Sequence, residues 1–390
     1  MNGKTIQTST STWINLRRRK MPYKISGTIG SDARIIIIKE SDWSVESNTD
    51  ESSGSFAVEN LDSGKKTVIA RKSDGEVLAY GNISSEEYTP AIGDRGVFGG
   101  GYSNDDTMQY ITISTTGNST DFGNLTFGRH GLGAASNGAT GRGVFAGGTK
   151  PFDYVSETEI DYITISTTGN AQDFGDLSNG KTYPAATSNG TNDRGVFGGD
   201  YDPDSNIIEY ITISTTGNSS DFGDLSQTNR GFDACSNGTN NRGVFGGGYS
   251  GGLVNTIEYI TINSAGNTTD FGDLLSAINN TTATSNGTNN RGVWMGGDDG
   301  SQVNTIQYIT ITSTGNATDF GDLTQAGGEI SQGAATSNKV NERGVFGGGD
   351  SASTGDTNVI QYITINSTGN STDFGDLLDT NYSFDACANA

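Results

Sequence analysis

The chain has 390 residues, of which 58 are glycine and 32% are hydrophobic, and its formal net charge is −22. Low hydrophobicity with abundant glycine disfavours a helix bundle and favours many short strands joined by tight turns. The negative charge disfavours nucleic acid and anionic lipid as partners, and the longest purely apolar run, Ile35 to Ile38, is too short to insert into a membrane. With only two cysteines, Cys235 and Cys387, a disulfide framework is excluded and synthesis in a reducing cytosol is favoured.

The N-terminal region differs in charge from the rest of the chain. Residues 1–94 hold 12 basic and 13 acidic side chains, whereas residues 95–390 hold 11 and 32. Residues 1–21 are polar, contain the basic run Arg17 to Lys20, and lack the apolar stretch of a secretory signal. We therefore expect an assembly arm that orders against a partner.

Residues 22–88 are predicted to form a small β-sandwich that serves as a docking domain. Turn clusters and β-branched residues predict strands near Tyr23–Ile29, Arg34–Lys39, Ser55–Glu59, Thr67–Arg71 and Glu76–Tyr80. The stretch with Thr49-Asp50, Gly54-Ser-Phe56, Leu61 and Gly64 resembles the carboxypeptidase-regulatory or transthyretin-like module. That resemblance implies a spacer or docking role.

Three short motifs recur six times from residue 95 onward, at a period of about 50 residues. R-G-V followed by Phe or Trp begins at Arg95, Arg142, Arg194, Arg242, Arg291 and Arg343. Y-I-T-I follows in each unit, and then D-F-G, whose aspartates are Asp121, Asp173, Asp221, Asp270, Asp319 and Asp373. Such a period is typical of arrays whose units bury apolar faces against one another, so residues 89–390 are predicted to be one repeat domain.

Each unit contains four strand-like segments bounded by Gly, Asn, Ser and Thr. A segment of small residues, such as Gly231 to Ser236, precedes the R-G-V strand with its glycine pair, the Y-I-T-I strand and the short D-F-G strand. Six units of four strands suit a β-propeller. The pattern resembles the kelch repeat, with Phe in the last strand where kelch repeats carry Trp. The expected fold is all-β: a six-bladed kelch-like β-propeller preceded by the small sandwich.

The two ends of the repeat region complement each other. The first unit lacks a small-residue segment, and Asn381 to Ala390 at the end of the chain match Gly231 to Ser236. We therefore expect the C-terminal strand to complete the first blade and close the ring. This places Cys387 in the first blade and Cys235 in the fourth, too far apart to form a disulfide.

Sequence diversity is confined to the loops of one predicted face. In an antiparallel blade, the loops after the second and fourth strands share a face, and these are the loops that vary, whereas the turns on the other face are nearly identical. We expect the variable face to bind a ligand through aromatic rings and short polar side chains; passive drift of surface loops is the alternative. The candidate binding residues are Tyr102, Asp105, Asp106, Arg129, His130, Phe152, Tyr154, Tyr183, Tyr201, Asp202, Arg230, Phe232, Tyr249 and Tyr382.

The residues predict no catalytic site, cofactor or metal. The D-F-G segments resemble the Asp-box of sialidases, but within the propeller region only Arg129 and Arg230 remain, besides the repeat arginines, for the three-arginine cluster of that family. Galactose oxidase, a propeller of kelch type, needs two histidines at its copper, and this chain has only His130. Because the repeat arginines and the D-F-G aspartates recur in every unit, we expect them to make hydrogen bonds between strands or blades.

The arm, the sandwich and a propeller of near-identical Ser/Thr/Asn/Gly repeats together resemble structural proteins of bacteriophage virions, particularly of marine and cyanobacterial phages. The resemblance implies a non-catalytic tail-fibre, tail-knob or capsid-decoration protein, assembled in the host cytoplasm, oligomeric in the particle and displayed on the virion surface. Residues 1–88 would then contact other virion proteins, and the propeller a host surface glycan or protein. A cellular kelch-type interaction scaffold and a polysaccharide-degrading enzyme stay open as alternatives.

Overall fold

The computed structural model describes the backbone of the strands between residues 23 and 87, and residues 94–388 except 103–105, 138–140, 151–154, 189–192, 202, 237–240, 286–289, 325–329, 339–341 and 352. Internal contacts divide the chain into two units, Met1–Thr89 and Pro90–Ala390. The regular structure of the described residues is entirely β-strand. Within them, no helix is long and apolar enough to span a membrane.

The first unit contains eight strands in two sheets. They are β1 (Tyr23–Ile29), β2 (Ala33–Lys39), β3 (Ser44–Glu51), β4 (Gly54–Leu61), β5 (Lys65–Lys72), β6 (Val77–Ala79), β7 (Asn82–Ser84) and β8 (Glu86–Glu87). One sheet has the order β4-β1-β8, and the other has the order β3-β2-β5-β6 with β7 also paired to β5. The sequence does not predict β3, because its mostly polar residues have low strand propensity; antiparallel pairing with β2 places it in the sheet.

The second unit is a ring of six antiparallel sheets, or blades. Blade 1 contains β9 (Arg95–Gly99), β10 (Thr107–Thr112) and β11 (Thr120–Asn124). Blade 2 contains β12 (His130–Ser136), β13 (Arg142–Thr149), β14 (Glu159–Thr164) and β15 (Gln172–Asp176). Blade 3 contains β16 (Ala185–Ser188), β17 (Arg194–Tyr201), β18 (Asp204–Thr212) and β19 (Ser220–Asn229). Blades 4 and 5 contain β20 (Asp233–Ser236), β21 (Arg242–Gly246), β22 (Thr256–Thr261) and β23 (Thr269–Asp273), and β24 (Thr282–Ser285), β25 (Arg291–Met295), β26 (Thr305–Thr310) and β27 (Thr318–Asp322).

Blade 6 follows the same plan and carries an added small sheet. Its strands are β29 (Ala334–Ser337), β30 (Arg343–Gly347), β33 (Val359–Thr364) and β34 (Thr372–Asp376), and the added sheet pairs β28 (Ile330–Ser331), β31 (Asp350–Ser351) and β32 (Gly355–Asp356). The last strand, β35 (Asp385–Ala388), pairs with β9, so that blade 1 has the order β11-β10-β9-β35. We name the strands of each blade A to D from the innermost; β35 is strand A of blade 1.

The A strands surround the axis and contact one another through the full circle of blades, including β29 of blade 6 with β35 of blade 1. The hydrophobic clusters lie between blades: Phe145 of blade 2 belongs to a cluster with Val97, Met108 and Phe122 of blade 1. A blade therefore buries its apolar face only against its neighbour, as expected for a repeat array.

The glycine of R-G-V is required by close packing between blades. A Cβ atom at Gly143 would collide with the sulfur of Cys387, and one at Gly292 would collide with the sulfur of Cys235. Both cysteines are buried and free. Each thiol fills the space that the glycine of the next blade leaves open.

Candidate functional site

The repeat arginines join neighbouring blades. Arg95 Nη1 donates a hydrogen bond to the carbonyl oxygen of Ile165 in blade 2 at 3.0 Å, and its guanidinium lies 4.2 Å from the ring centroid of Tyr110 in its own blade. Arg343 of blade 6 donates to the carbonyl oxygen of Ile113 in blade 1 at 3.0 Å. The other four repeat arginines make both contacts, with hydrogen bonds of 2.9 to 3.1 Å. These arginines stabilise the ring.

Among the residues that the structure describes, the side chains of the D-F-G aspartates make no hydrogen bond between blades, which corrects the expectation from their regularity. All six side chains are exposed, and the hydrogen bond described for Asp173 is local, from the amide of Gly175 to Oδ1 at 3.1 Å. The glycine of the motif is the constrained residue. Gly123 has φ +139°, and a Cβ there would lie 2.5 Å from the carbonyl oxygen of Gly169 in the next blade.

A further set of inter-blade contacts involves the residue before the tyrosine of Y-I-T-I, which the sequence analysis missed. These six buried side chains are Gln109, Asp161, Glu209, Glu258, Gln307 and Gln361. Gln307 Oε1, for example, accepts a hydrogen bond from the amide of Leu275 in the preceding blade at 2.8 Å. The sequence signal that could have revealed these contacts is a polar residue that recurs at one position of an otherwise apolar strand.

Two of these acidic side chains are paired with buried cations, so Arg129 is not part of the exposed binding face. Arg129 Nη1 lies 3.1 Å from Asp161 Oδ2, and Lys181 Nζ lies 3.5 Å from Glu209 Oε2; all four side chains are at most 1% exposed. Burial lowers the pKa of Arg129 and of Lys181, and the neighbouring carboxylates act in the opposite direction. The prediction that Arg129 contacts a ligand is wrong, because its guanidinium is enclosed between blades.

Phe232 is also part of the core rather than the variable surface. Its side chain is 4% exposed, and its ring centroid lies 6.0 Å from that of Phe245. The sequence analysis placed Phe232 both in the small-residue segment and among the loop residues of the variable face, whereas the structure packs its ring in the core. Its assignment as a binding residue is therefore wrong.

The variable face opens into a cavity of about 480 Å³ at the mouth of the central channel. We call it the mouth cavity; it is lined by Tyr102, His130, Thr149, Thr182, Tyr183, Tyr201, Arg230, Gly231, Tyr249, Asn279, Asn280 and Gln332. Six of the candidate binding residues are in this lining: Tyr102, His130, Tyr183, Tyr201, Arg230 and Tyr249. Loops from separate blades bring them together.

Aromatic residues at the mouth cavity form a continuous arc of contacts, which begins at Tyr382, a residue outside the cavity lining. Tyr382 stacks on Tyr102 with centroids 4.7 Å apart, and Tyr102 lies edge-on to His130 at 5.1 Å. The arc continues from His130 to Tyr183 at 6.4 Å and from Tyr183 to Tyr201 at 6.2 Å. Such rings offer a large contact area with little conformational entropy to lose on binding.

Arg230 extends the arc and is neutralised within it. Its guanidinium lies 4.4 Å from the ring centroid of Tyr201 and 4.7 Å from that of Tyr249. Its Nη1 lies 2.8 Å from Asp204 Oδ1, which forms an ion pair. Arg230 therefore positions two tyrosines and presents little uncompensated positive charge to a ligand.

The floor of the mouth cavity is a ring of residues with left-handed backbone. Six residues at this level, one within β12 and five just before the other A strands, all have φ between +52° and +63°: Gly131, Tyr183, Gly231, Asn280, Gln332 and Ser383. Their backbones are linked around the axis, for example from the amide of Tyr183 to the carbonyl oxygen of Gly131 at 2.6 Å and from the amide of Gln332 to that of Asn280 at 2.9 Å. Four non-glycine residues in this conformation store backbone strain, a feature that clusters at functional sites.

Side chains of that ring also bond across the channel. Tyr183 Oη lies 3.2 Å from Ser383 Oγ, and Ser383 Oγ donates to Gln332 Oε1. Burial raises the pKa of Tyr183, so its hydroxyl stays protonated near neutral pH. Tyr183 and Gln332 line both the mouth cavity and the narrower space below it, and Ser383 lines the space below.

Below this floor, two carboxylates from opposite blades line a narrow space of about 60 Å³. Asp233 of blade 4 accepts hydrogen bonds from the amides of Ala234 at 2.7 Å and Ala283 at 2.6 Å. Asp385 of blade 1 accepts the equivalent bonds from Ala386 at 2.7 Å and Ala134 at 2.6 Å. Burial raises the pKa of Asp233 to about 7 and raises that of Asp385 as well.

The remaining candidate binding residues lie elsewhere or outside the described residues. Asp106 is half-buried beside the D strand of blade 1, where its carbonyl oxygen accepts from the amide of Leu125 at 2.7 Å, and it does not line the mouth cavity. Asp105, Phe152, Tyr154 and Asp202 are outside the described residues. In the part of the chain that the structure describes, no group of three or more His, Cys, Asp or Glu side chains is placed to hold a metal ion.

Comparison with known proteins supports the fold. No protein-family model matches the chain, and no curated protein matches it significantly. Among solved structures, that of YjhT is similar with a TM-score of 0.54 and 12% sequence identity, over 70% of this chain and 92% of that chain. The likeness and the four-stranded blades together show a kelch-like β-propeller fold.

Proposed function

We propose that the protein is a structural component of a bacteriophage virion, a tail fibre, tail knob or capsid decoration, whose propeller attaches to the host surface by non-catalytic binding. The observation that carries the binding role is the arc of aromatic contacts around the mouth cavity, from Tyr382 through His130 to Tyr201. Passive drift of loops gives no reason for aromatic residues of separate blades to converge on one cavity.

The repeated contacts and the variable loops have different roles in the propeller. The conserved features of the six units, the arginine bonds and the buried polar residues before each tyrosine, join blades to one another. The variable loops contribute the lining of the mouth cavity. A ring held together by repeated contacts tolerates changes in those loops, which suits a protein that must recognise a surface.

The assignment to a virion rests on sequence resemblance. The near-identical Ser/Thr/Asn/Gly repeats resemble those of phage structural proteins, and the module with Gly54 to Phe56 resembles a docking domain of the carboxypeptidase-regulatory or transthyretin-like type. Under this proposal residues 1–88 contact other virion proteins, and the propeller is displayed on the particle surface.

Two measurements test the proposal. Mass spectrometry of purified phage particles should detect the chain as a stoichiometric component, and the isolated protein should adsorb to host cells and compete with particles for them. Tyr201→Ala should reduce adsorption, because Tyr201 is 47% exposed and lines the mouth cavity; Leu275→Ala, which removes a comparably exposed apolar side chain outside that cavity, should not. A chain absent from particles, or adsorption unaffected by Tyr201→Ala, would contradict the proposal.

A further inference from the structure

At the junction between blades 3 and 4, a cation of the chain contacts two tyrosine rings and a carboxylate. The guanidinium of Arg230 lies 4.4 Å from the ring centroid of Tyr201 and 4.7 Å from that of Tyr249. Its Nη1 lies 2.8 Å from Oδ1 of Asp204, which stands six residues before the tyrosine of Y-I-T-I. This junction shows how the fold pairs a guanidinium with aromatic rings and an acid.

The junction between blades 6 and 1 has the same plan, but a tyrosine replaces the cation. Tyr382 stands at the position of Arg230. Asp356 stands at the position of Asp204, also six residues before the tyrosine of Y-I-T-I. The amide of Tyr102 donates to the carbonyl oxygen of Tyr382 at 3.0 Å, the counterpart of a 2.9 Å bond to the carbonyl oxygen of Arg230. Asp356 therefore occupies the acidic position of a pair whose basic position is filled by a tyrosine.

Asp356 lies beside the stacked rings of Tyr102 and Tyr382. The amide of Asn381 donates to the carbonyl oxygen of Thr357 at 3.2 Å. This bond holds Tyr382, the residue after Asn381, near Asp356, the residue before Thr357. Burial raises the pKa of Tyr382, and the neighbouring Tyr102 and Asp356 raise it further. Tyr102 is 49% exposed and Asp356 is exposed as well, so a ligand can reach both side chains.

Asp356 is also placed opposite a like charge. In the added sheet of blade 6 its cross-strand partner is Asp350, and like charges directly opposite each other destabilise a sheet. Partial burial and the charge of Asp350 raise the pKa of Asp356. Gln302 Nε2 donates to Asp350 Oδ2 at 2.8 Å, which leaves the charge uncompensated. Within the described part of the chain, no basic side chain forms an ion pair with either carboxylate. A cationic ligand relieves this repulsion.

The chemistry of the rim changes from one side of the mouth cavity to the other. The residue seven positions after each repeat arginine is Tyr102, Thr149, Tyr201 and Tyr249 in blades 1 to 4, and Asp298 and Asp350 in blades 5 and 6. The junction of blades 6 and 1 is where the aromatic side meets the acidic side. Residues 95–390 also carry 32 acidic and 11 basic side chains, so the propeller attracts a positively charged partner.

An arginine side chain on a protein fits this junction better than a lysine. Its planar guanidinium stacks on aromatic rings and pairs with carboxylates, whereas an ammonium is a strongly hydrated point charge. Tyrosine and arginine are also the residues enriched at the centres of protein interfaces. Asn279 and Asn280 of the mouth lining supply amides that can bond to the main chain beside such an arginine.

Resting on the proposed function, we infer that the partner on the host surface is a protein, and that one of its arginine side chains docks at the junction of blades 6 and 1. The guanidinium contacts the rings of Tyr102 and Tyr382 and pairs with Asp356, which reproduces the contacts that Arg230 makes within the chain. Asp350 adds a second negative charge beside the pair.

The test is calorimetric titration of the full chain with a glycine pentapeptide that has a central arginine, and with the same peptide carrying citrulline instead. Citrulline keeps the shape of arginine without its charge, and should bind at least about fivefold more weakly. Asp356→Asn should weaken binding of the arginine peptide by about threefold, because an exposed ion pair is screened by water. Asp373→Asn, at an exposed aspartate on the D strand of the same blade, is the matched control for charge.

A second variant lets the chain supply its own cation. In Tyr382→Arg the introduced guanidinium stands where Arg230 stands in blade 4 and should pair with Asp356. The arginine peptide should then bind at least about fivefold more weakly, while circular dichroism shows a folded chain. Tyr382→Phe keeps the ring and should retain the affinity of the native chain.

Equal affinity for the arginine and citrulline peptides, binding of neither, or an effect of Asp356→Asn no larger than that of Asp373→Asn would overturn the inference. If periodate oxidation of host-cell glycans abolishes adsorption and protease treatment of the cells does not, the partner is a glycan; attachment then stands and this inference fails. If the native chain does not adsorb to host cells at all, the proposed function fails, whereas the peptide titrations still decide whether the junction binds arginine.

Discussion

Tyr102 and Tyr382 stack with their ring centroids 4.7 Å apart and an interplanar angle of 23°. Tyr102 follows the B strand of blade 1, whereas Tyr382 precedes the C-terminal strand β35, and the amide of Tyr102 also donates to the carbonyl oxygen of Tyr382 at 3.0 Å. The ring of Tyr102, which lines the mouth cavity, is therefore held in place by the last segment of the chain.

Removal of one ring of this pair should affect binding more than stability. Tyr382→Ala removes the stacking partner of Tyr102 and should lower the free energy of unfolding by only about 1 kcal/mol, the usual value of an aromatic pair. Adsorption of the isolated protein to host cells should fall severalfold, because the ring of Tyr102 is then free to leave the arc. Leu378→Ala, at an exposed leucine outside the cavity lining, is the matched control for adsorption. Unchanged adsorption of Tyr382→Ala would show that the arc does not bind.

Deletion of residues 385–390 should destabilise the whole propeller. It removes β35, leaves the edge of β9 unpaired, and takes Ala386, Cys387 and Ala388 out of two hydrophobic clusters. We expect a loss on the order of 3 kcal/mol or more, comparable to large core truncations. Thermal unfolding followed by circular dichroism measures it, and a synthetic peptide of residues 381–390 should restore part of the lost stability. A truncated chain that unfolds at the native temperature would contradict this expectation.

The buried pair Lys181 and Glu209 can be tested by a double substitution that copies the residues at the equivalent positions of another pair of blades. Glu209→Gln removes the stronger of the two carboxylates that act on the ammonium group of Lys181, leaving only Asp200, and should cost about 3–5 kcal/mol. At the equivalent positions between blades 4 and 5 the chain has Ile278 and Gln307. The double variant Lys181→Ile with Glu209→Gln copies that arrangement and should recover most of the loss.

Chemical denaturation of the native chain, both single variants and the double variant measures the coupling between the two sites. If the double variant is no more stable than Glu209→Gln alone, the broken pair with Lys181 is not the reason for the lower unfolding free energy of Glu209→Gln. The equivalent pair Arg129 and Asp161 provides an independent repetition.

The sequence predicted the blades because their signals are periodic and local. The R-G-V, Y-I-T-I and D-F-G motifs recur at fixed spacing, and each lies on the strand expected from its residues, as Arg194, Tyr210 and Asp221 illustrate in blade 3. The convergence of Tyr102 and Tyr201 on one cavity also follows from which loops share a face.

Contacts between blades were less predictable because they depend on how deeply each side chain is buried rather than on the spacing of the motifs. Arg129 and Phe232 lie in the variable loops by sequence, yet one is enclosed beside Asp161 and the other packs on Phe245. A loop residue two positions from an exposed one can point inward, and no local pattern distinguishes the two. The buried polar residue before each tyrosine was visible in the repeat, but its partner is in the preceding blade, about 30 residues away for Gln307 and Leu275.

The carboxylate of Asp233 should make stability depend on pH. Because its folded pKa, about 7, is raised above the ordinary value of 3.8, the folded state holds a proton that the unfolded state releases. Its contribution is therefore fully present below about pH 4, declines as the pH rises toward 7, and is lost above the folded pKa. Asp233→Ala, which copies the alanine at the equivalent positions Ala185 and Ala334, removes this contribution and also the charge that helps to raise the pKa of Asp385.

We expect the difference in unfolding free energy between the native chain and Asp233→Ala to fall by on the order of 1 kcal/mol between pH 5 and pH 8, since the channel admits some solvent and screens part of the shift. Measuring the difference rather than the native curve cancels the titration of the many surface carboxylates, which both proteins share. Asp221→Ala, at an exposed D-F-G aspartate, is the matched control for the removal of a carboxylate. A constant difference between the native chain and Asp233→Ala would mean that Asp233 stays ionised in the folded protein, with the two backbone amides of Ala234 and Ala283 sufficient to hold its charge.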